Sequence, residues 1–252
     1  MESSSDLGSN CWLGALPGRR SPRGATAATP HSKRCVDHHI PYHSRMSFEG
    51  WRGDFVGFFR GLELDNSKRY FEAHRKQYES EVRGPMEALA AELSPLLGPF
   101  KIFRINRDVR FSADKSPYKT NVAAVIGPLY VHLDARQFFV ATGAHMPGNA
   151  WLARFREAVA GPAGADLVER VERMRAAGLN VGGNPLKTTP RGYSADHPRI
   201  ELLRWREVTT GQDFGLEPWI ATPAVKDRVL EAWEHMQHLS DWLEANVAEP
   251  AE

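Results

Sequence analysis

Residues 120–143 read TNVAAVIGPLYVHLDARQFFVATG, and their pattern decides the fold. Three β-branched and aromatic runs, 120–126, 129–134 and 137–143, are separated by Gly127-Pro128 and by the tight turn Asp134-Ala135-Arg136. Such short connections join neighbouring antiparallel strands, because a parallel crossover needs a dozen or more residues. The spacing therefore predicts a meander. Upstream, Phe103, Ile105, Val109 and Phe111 fall on alternate positions and extend the period-two reading back to a strand over 103–111.

On either side the period changes to that of helices. Phe48, Trp51, Phe55, Phe58 and Leu62 recur at spacings of three and four, with Ser47 as the expected N-cap. A second helix follows with Phe71, His74, Tyr78 and Val82 on one face. A third opens at Pro85 and stops at Gly98-Pro99. Beyond the meander, Asn149 is read as the cap of a helix bearing Leu152, Phe155 and Val159. Residues 165–177 repeat the pattern, and 179–217 read as loop with short strands near 200–209. Thr222-Pro223 opens a last helix through Val225, Val229, Trp233, Met236 and Leu243, with Trp233 expected in the core. Helices flanking a run of strands predict a single α+β domain, its helices packed on one face of an antiparallel sheet.

The domain is expected over 46–247, with a short tail at 248–252. Residues 1–45, rich in Ser, Gly, Pro and Arg and without periodic apolar positions, read as a disordered leader, Met46 being an alternative start. Both cysteines, Cys11 and Cys35, lie in that leader, so nothing supports a disulfide-stapled fold and a cytoplasmic location is expected. Cys35 with His38, His39 and His43 lacks the two separated ligand clusters of known zinc sites, and no metal site is expected. No run approaches the roughly 18 apolar residues of a membrane helix, which predicts a soluble protein without a membrane partner.

Across the whole chain, 32 basic residues face 31 acidic ones. Six of the basic and three of the acidic residues belong to 1–45, which leaves 46–252 at −2. That balance argues against broad nucleic-acid affinity, which draws on an extended basic face. The charge is uneven, however. Residues 100–120 hold six basic and two acidic side chains, a local +4 against −6 for the rest of the domain.

Within that segment, strand alternation places Arg104, Asn106, Asp108 and Arg110 on one face and sets Arg107 on the apolar one, where its guanidinium needs a partner or a way to the rim. Arginine forks grip carboxylate or phosphate oxygens with two parallel hydrogen bonds, and Lys115 and Lys119 would add point charges. Asp108 would hold the forks in position. Three functional readings stay open. The first is a site for a small phosphate- or carboxylate-bearing ligand made by Arg104, Arg107, Asp108, Arg110, Asp114, Lys115, Tyr118 and Lys119, with Tyr118, His145 or His197 as candidate acid/base groups. The second is an interaction protein that docks an acidic partner or a nucleic-acid backbone on this segment. The third makes the Arg–Asp pairs a folding device that specifies register. The sequence assigns no cofactor, no reaction and no oligomeric state; the glycine-rich loop and D-F-G of a kinase are missing around Asn106-Arg107-Asp108, and Gly182-Gly183-Asn184 reads as a plain turn.

The run from Arg104 to Tyr118 resembles the signature R-x-x-R-D-x-R-F-x-x-[DN]-K-x-x-Y of domain of unknown function 2461, an uncharacterised family found mainly in bacteria and some fungi. Asn66, Phe71, His74 and Tyr78 resemble the family's N-x-x-x-W-F-x-x-[HN] helix, with Tyr70 in place of the usual Trp. Pro147, Leu152, Arg156, Lys187, Pro190, Gly192-Tyr193, His197-Pro198 and Leu203 are similar to its later blocks, so the resemblance spans roughly 48–245. It implies a family without implying a chemistry.

Overall fold

The meander forms where the alternation places it. In the computed structural model, which describes residues 47–110 and 112–247, strands β2 (Asn121–Ile126), β3 (Leu129–Asp134) and β4 (Phe138–Ala144) pair antiparallel. The Asp134 carboxylate closes the β3–β4 turn by accepting the backbone N–H groups of Arg136 at 2.7 Å and Gln137 at 2.9 Å. Three more strands complete a six-stranded antiparallel sheet: β1 (Phe100–Ile102), β5 (Asn180–Gly182) and β6 (Val208–Asp213), in the order β1-β2-β3-β4-β6-β5. The expectations for residues 1–45 and 248–252, Cys11 and Cys35 included, lie outside the described residues.

One face of the sheet carries the core. Val122, Ala124 and Ile126, then Leu129, Val131 and Leu133, then Phe138 and Val140 are buried together. Helix α1 (Phe55–Leu64) lies against β3, α3 (Gly84–Leu97) against β1 and β2, and α7 (Ala224–Asn246) against β4 and β6. Helices α4 (Asn149–Ala160) and α5 (Ala163–Ala176) extend this layer beside α7. The result is the expected α+β architecture. No helix among the described residues is long and apolar enough to cross a membrane.

Three local expectations are corrected. The first helix does not start at Ser47: residues 47–54 lie outside any helix or strand, and Asp54 caps α1 by accepting the N–H of Gly57 at 2.8 Å. Phe48 and Trp51 are buried from outside any helix. Gly50, at φ +91°, turns this segment onto the backbone of Ala221 and Thr222. Trp51 then donates its N–H to the Ile220 carbonyl at 2.9 Å and its indole N–H to the Val82 carbonyl at 3.1 Å. Val82 belongs to a π-helical stretch, Tyr78–Arg83, that joins α2 (Lys68–Gln77) to α3. Such stretches loosen the regular ladder and leave carbonyls for other donors.

Second, residues 200–203 form a helical turn, α6 (Ile200–Leu203), because Leu202, Leu203 and Trp205 bury themselves from one short bend; the strand lies further on, at β6. Third, Trp233 is half-buried at the edge of the core, and Ala232 and Trp242 take the fully buried positions of α7. Two caps shift by a residue. Gly148, not Asn149, stands before α4, and Pro223 precedes α7, with Thr222 Oγ1 accepting the Ala224 N–H at 3.3 Å.

Candidate functional site

The predicted strand over 103–111 does not form, and its chemistry sits instead on an irregular hairpin that prolongs β1 and β2. Phe103 N–H donates to Ala123 C=O at 2.9 Å, Lys119 N–H to Ile105 C=O and Arg107 N–H to Pro117 C=O, both at 2.8 Å. Asn106 faces Tyr118 as an isolated bridge. Regular pairing fails for a countable reason. Four residues separate Ile102 from Asn106, while six separate their partners Tyr118 and Ala124, so the returning limb carries two extra residues. Pro117, which has no N–H, ends the ladder.

Alternation survives without the strand. Arg104, Asn106, Asp108 and Arg110 are exposed, Ile105 is buried, and Arg107 is largely covered, its side chain 16% exposed. The covered guanidinium of Arg107 meets the carboxylate of Asp114, whose other oxygen accepts the Ser116 N–H at 2.9 Å. Arg110 lays its fork on Asp108, Nε to Oδ1 at 2.9 Å and Nη2 to Oδ2 at 2.6 Å. Hydrogen bonds from Arg110, with the charge of Arg104 nearby, hold the Asp108 carboxyl down at about 2. Ser116 and Arg107 keep Asp114 well below the usual carboxylate range. Lys115 donates to the Val109 carbonyl at 3.0 Å, and the Lys119 ammonium lies 5.3 Å from the centre of the Phe103 ring. Arg107 and Arg110 are thus each engaged by a carboxylate of the hairpin itself, with Arg110 still 76% exposed.

Helix α2 fixes the root of the hairpin. Asn66, just before that helix, accepts the Tyr118 N–H on Oδ1 and donates Nδ2–H to the Tyr118 carbonyl, both at 3.0 Å. The Tyr118 ring is buried and stacked on Phe71 with centroids 4.4 Å apart, and Arg75 covers Phe71 at 5.0 Å. On the same helix Lys68, Arg69 and Lys76 are exposed.

The sheet's second face faces away from the helical core, and cross-strand register orders it into rows. Phe103, Ala123, His132, Phe139 and Asp213 share one row; Val125, Tyr130, Ala141, Gly211 and Asn180 share the next. On β3 this face carries Tyr130, His132 and Asp134, which sequence reasoning missed as a group. His132 Nε2 lies 3.1 Å from Asp134 Oδ2, and its Nδ1 lies 3.2 Å from the Tyr130 hydroxyl. With Nε2–H donated to Asp134, Nδ1 is the acceptor for Tyr130. Burial pushes the Tyr130 phenol up. Burial also acts to raise Asp134, but His132 and the two turn amides outweigh it and its pKa is lowered. The detectable signal was the alternation itself, which puts residues 130, 132 and 134 on one side of a strand.

Toward the β5 edge the same face hollows into a trough of about 370 Å³. Phe139, Ala141, Thr209 and Gly211 line its length, His145 and Glu207 stand at one end and Asp213 at the other. His145 Nδ1 is 3.6 Å from Glu207 Oε1, which is ion-pair range. His197 belongs elsewhere: it sits before α6, where its Nδ1 accepts the Arg199 N–H at 3.0 Å. The structure therefore gathers the eight signature candidates on one hairpin and places neither histidine on it.

The family model described as conserved hypothetical protein (DUF2461) matches residues 54–242, well over half of the chain. Neither the comparison with curated proteins nor that with solved structures gives a match.

Proposed function

We propose that this chain, which belongs to the DUF2461 family, is a binding domain for anionic groups, phosphate or carboxylate, with the signature hairpin as the contacting element. The observation that carries this reading is the exposed Arg110 fork, set in place by Asp108 on a hairpin of net +3 that Asn66 ties to α2. A guanidinium already fixed in orientation loses little freedom when it accepts a ligand oxyanion. An incoming anion joins Asp108 on the exposed guanidinium and gains the field of Arg104 and Lys115. Arg107, covered and tied to Asp114, acts as a brace for the tip of the hairpin, and Tyr118 as its anchor.

Thermal melting tests this reading. Inorganic phosphate or a phosphorylated metabolite should raise the melting temperature, since a ligand of the native state stabilises it. Arg110→Ala should remove that shift and lower the unliganded midpoint only slightly, because the pair with Asp108 is mostly in water. A panel of phosphate and carboxylate compounds that shifts nothing would overturn it.

One observation favours a larger partner. Exposed Lys68 stands one helical turn before Phe71, the α2 residue that stacks on Tyr118, and adds positive charge on the hairpin side of that helix. An acidic partner or a nucleic-acid backbone would use both elements. Affinity for a duplex oligonucleotide would then fall steeply between 50 and 200 mM salt, by about tenfold or more for several phosphate contacts, and Lys68→Ala would flatten that slope.

A further inference from the structure

The trough on the second face has the opposite electrostatic character to the hairpin. No lysine or arginine lines it, and its two carboxylates stand at its two ends. The β4–β6 register fixes their separation: His145 follows on from the pair Ala144 and Val208, so it stands beside Glu207, while Asp213 lies opposite Phe139. Six residues of one extended limb therefore separate Glu207 from Asp213, about 20 Å between Cα atoms at roughly 3.3 Å per residue. Between them the floor is low. Thr209, Gly211 and Ala141 offer small side chains or none, and Phe139 supplies an aromatic wall.

That low floor is built in. A Cβ on Gly211 would lie 2.8 Å from the Val140 carbonyl oxygen and 3.1 Å from the Cβ of Ala141, so the position stays bare. Gly182, at φ +120°, is similarly closed by the Trp205 ring 3.1 Å from its would-be Cβ. Asp213 is steadied by accepting the Gly215 N–H on Oδ1 at 2.8 Å, and Glu207 is held beside His145.

An open trough with an anion at each end and an uncharged middle is complementary to a linear dication. We infer that the trough binds a linear aliphatic diamine, one ammonium at Glu207 and one toward Asp213, with the methylene chain over Ala141, Gly211 and Phe139. Ammonium groups gain charge-assisted hydrogen bonds from the carboxylates, and the carbon chain gains contact with the floor. This site is separate from the anion site, and either can fail alone.

The test uses the full chain and 1,10-diaminodecane, followed by backbone amide shifts of Thr209, Gly211 and Gly182 in NMR titrations, with hexylamine as the single-charge control and Arg110→Ala as the control for the other site. The diamine should shift these amides saturably and bind at least about tenfold more tightly than hexylamine. Glu207→Gln and Asp213→Asn should each weaken it by about tenfold, the scale of one charge-assisted hydrogen bond. Arg110→Ala should leave it unchanged. Equal binding of hexylamine, loss of affinity from only one of the two carboxylate variants, or the same loss from Glu231→Gln on the exposed side of α7 would each overturn the assignment, as would an absence of shifts at these amides.

Discussion

Asn66 treats the backbone of Tyr118 as a strand would: its side-chain amide accepts the N–H and donates to the C=O of that one residue, both at 3.0 Å, across 52 positions of sequence. Two hydrogen bonds and the Phe71 stack fix where the signature hairpin leaves the sheet. Asn66→Ala should therefore cost about 1–3 kcal/mol, the range for leaving partly buried backbone groups unsatisfied. Asn66→Asp should recover less than half of it, since a carboxylate facing the Tyr118 carbonyl can only repel. Urea denaturation of the three proteins reads this directly, and equal stability of all three would dismiss the clamp.

The hairpin's own charges give a pH signature. Asp108 is held at about 2 by Arg110, so its folded-state pKa lies below the ordinary value of about 3.9. A group depressed on folding stabilises the folded form at all pH values above its unfolded pKa, and that contribution is lost as pH falls through the folded one. The Arg110 fork should then hold unchanged from neutrality to about pH 4 and release toward pH 2. Carboxyl carbon shifts of Asp108 should titrate near 2 in the wild type and return toward 3.9 in Arg110→Ala. An ordinary midpoint in the wild type would mean that the pair does not persist in solution.

Packing along α7 buries Trp242 and leaves at the edge Trp233, the tryptophan that its spacing from Val229 and Met236 marks as core. Trp242 is buried, donates its indole N–H to the Ala163 carbonyl at 3.1 Å and meets Phe155 edge-on at 6.1 Å. Trp233 is half-buried. Trp242→Ala should cost about 3–5 kcal/mol, and Trp233→Ala no more than about 2 kcal/mol. Thermal unfolding ranks the two, and the reverse order would undo this placement of the helix.

Local pattern was enough for the meander and the long helices, because each is specified within a few residues of itself. Alternation of Leu129, Val131 and Leu133 names the core face of β3, and it also placed Arg104, Asn106, Asp108 and Arg110 outward although no strand formed there. Errors arose where tertiary contact outranks local periodicity. Phe48 and Trp51 have helical spacing, yet Gly50 and the turn at Ala221 and Thr222 hold them in an irregular segment. The trough lay out of reach for a different reason. Its floor is assembled from residues 139–145, 180–182 and 207–213, and only the insertion of β6 between β4 and β5 brings them together. No short motif encodes that order.

Gly50 supplies the last test, and it concerns how the first described segment is tied to the far end of the domain. Its φ of +91° is one that side-chain-bearing residues rarely adopt, and a Cβ there would sit 2.2 Å from the Thr222 nitrogen and 2.3 Å from the Ala221 carbonyl carbon. Both obstacles are backbone, and neither can swing aside as a flexible side chain could. Gly50→Ala must therefore strain its own backbone or push residues 47–54 off the turn before α7, breaking the bond from Trp51 N–H to Ile220 C=O. Backbone strain of this kind alone costs roughly 1–3 kcal/mol, and the displaced Phe48 and Trp51 add to it, so the loss should exceed about 2 kcal/mol. The neighbouring Glu49→Ala, exposed and paired only with exposed Arg52, should stay within about 0.5 kcal/mol. Chemical denaturation of both variants distinguishes a segment docked through Gly50 from one merely adjacent to it: if Gly50→Ala is as mild as Glu49→Ala, residues 47–54 do not depend on that contact.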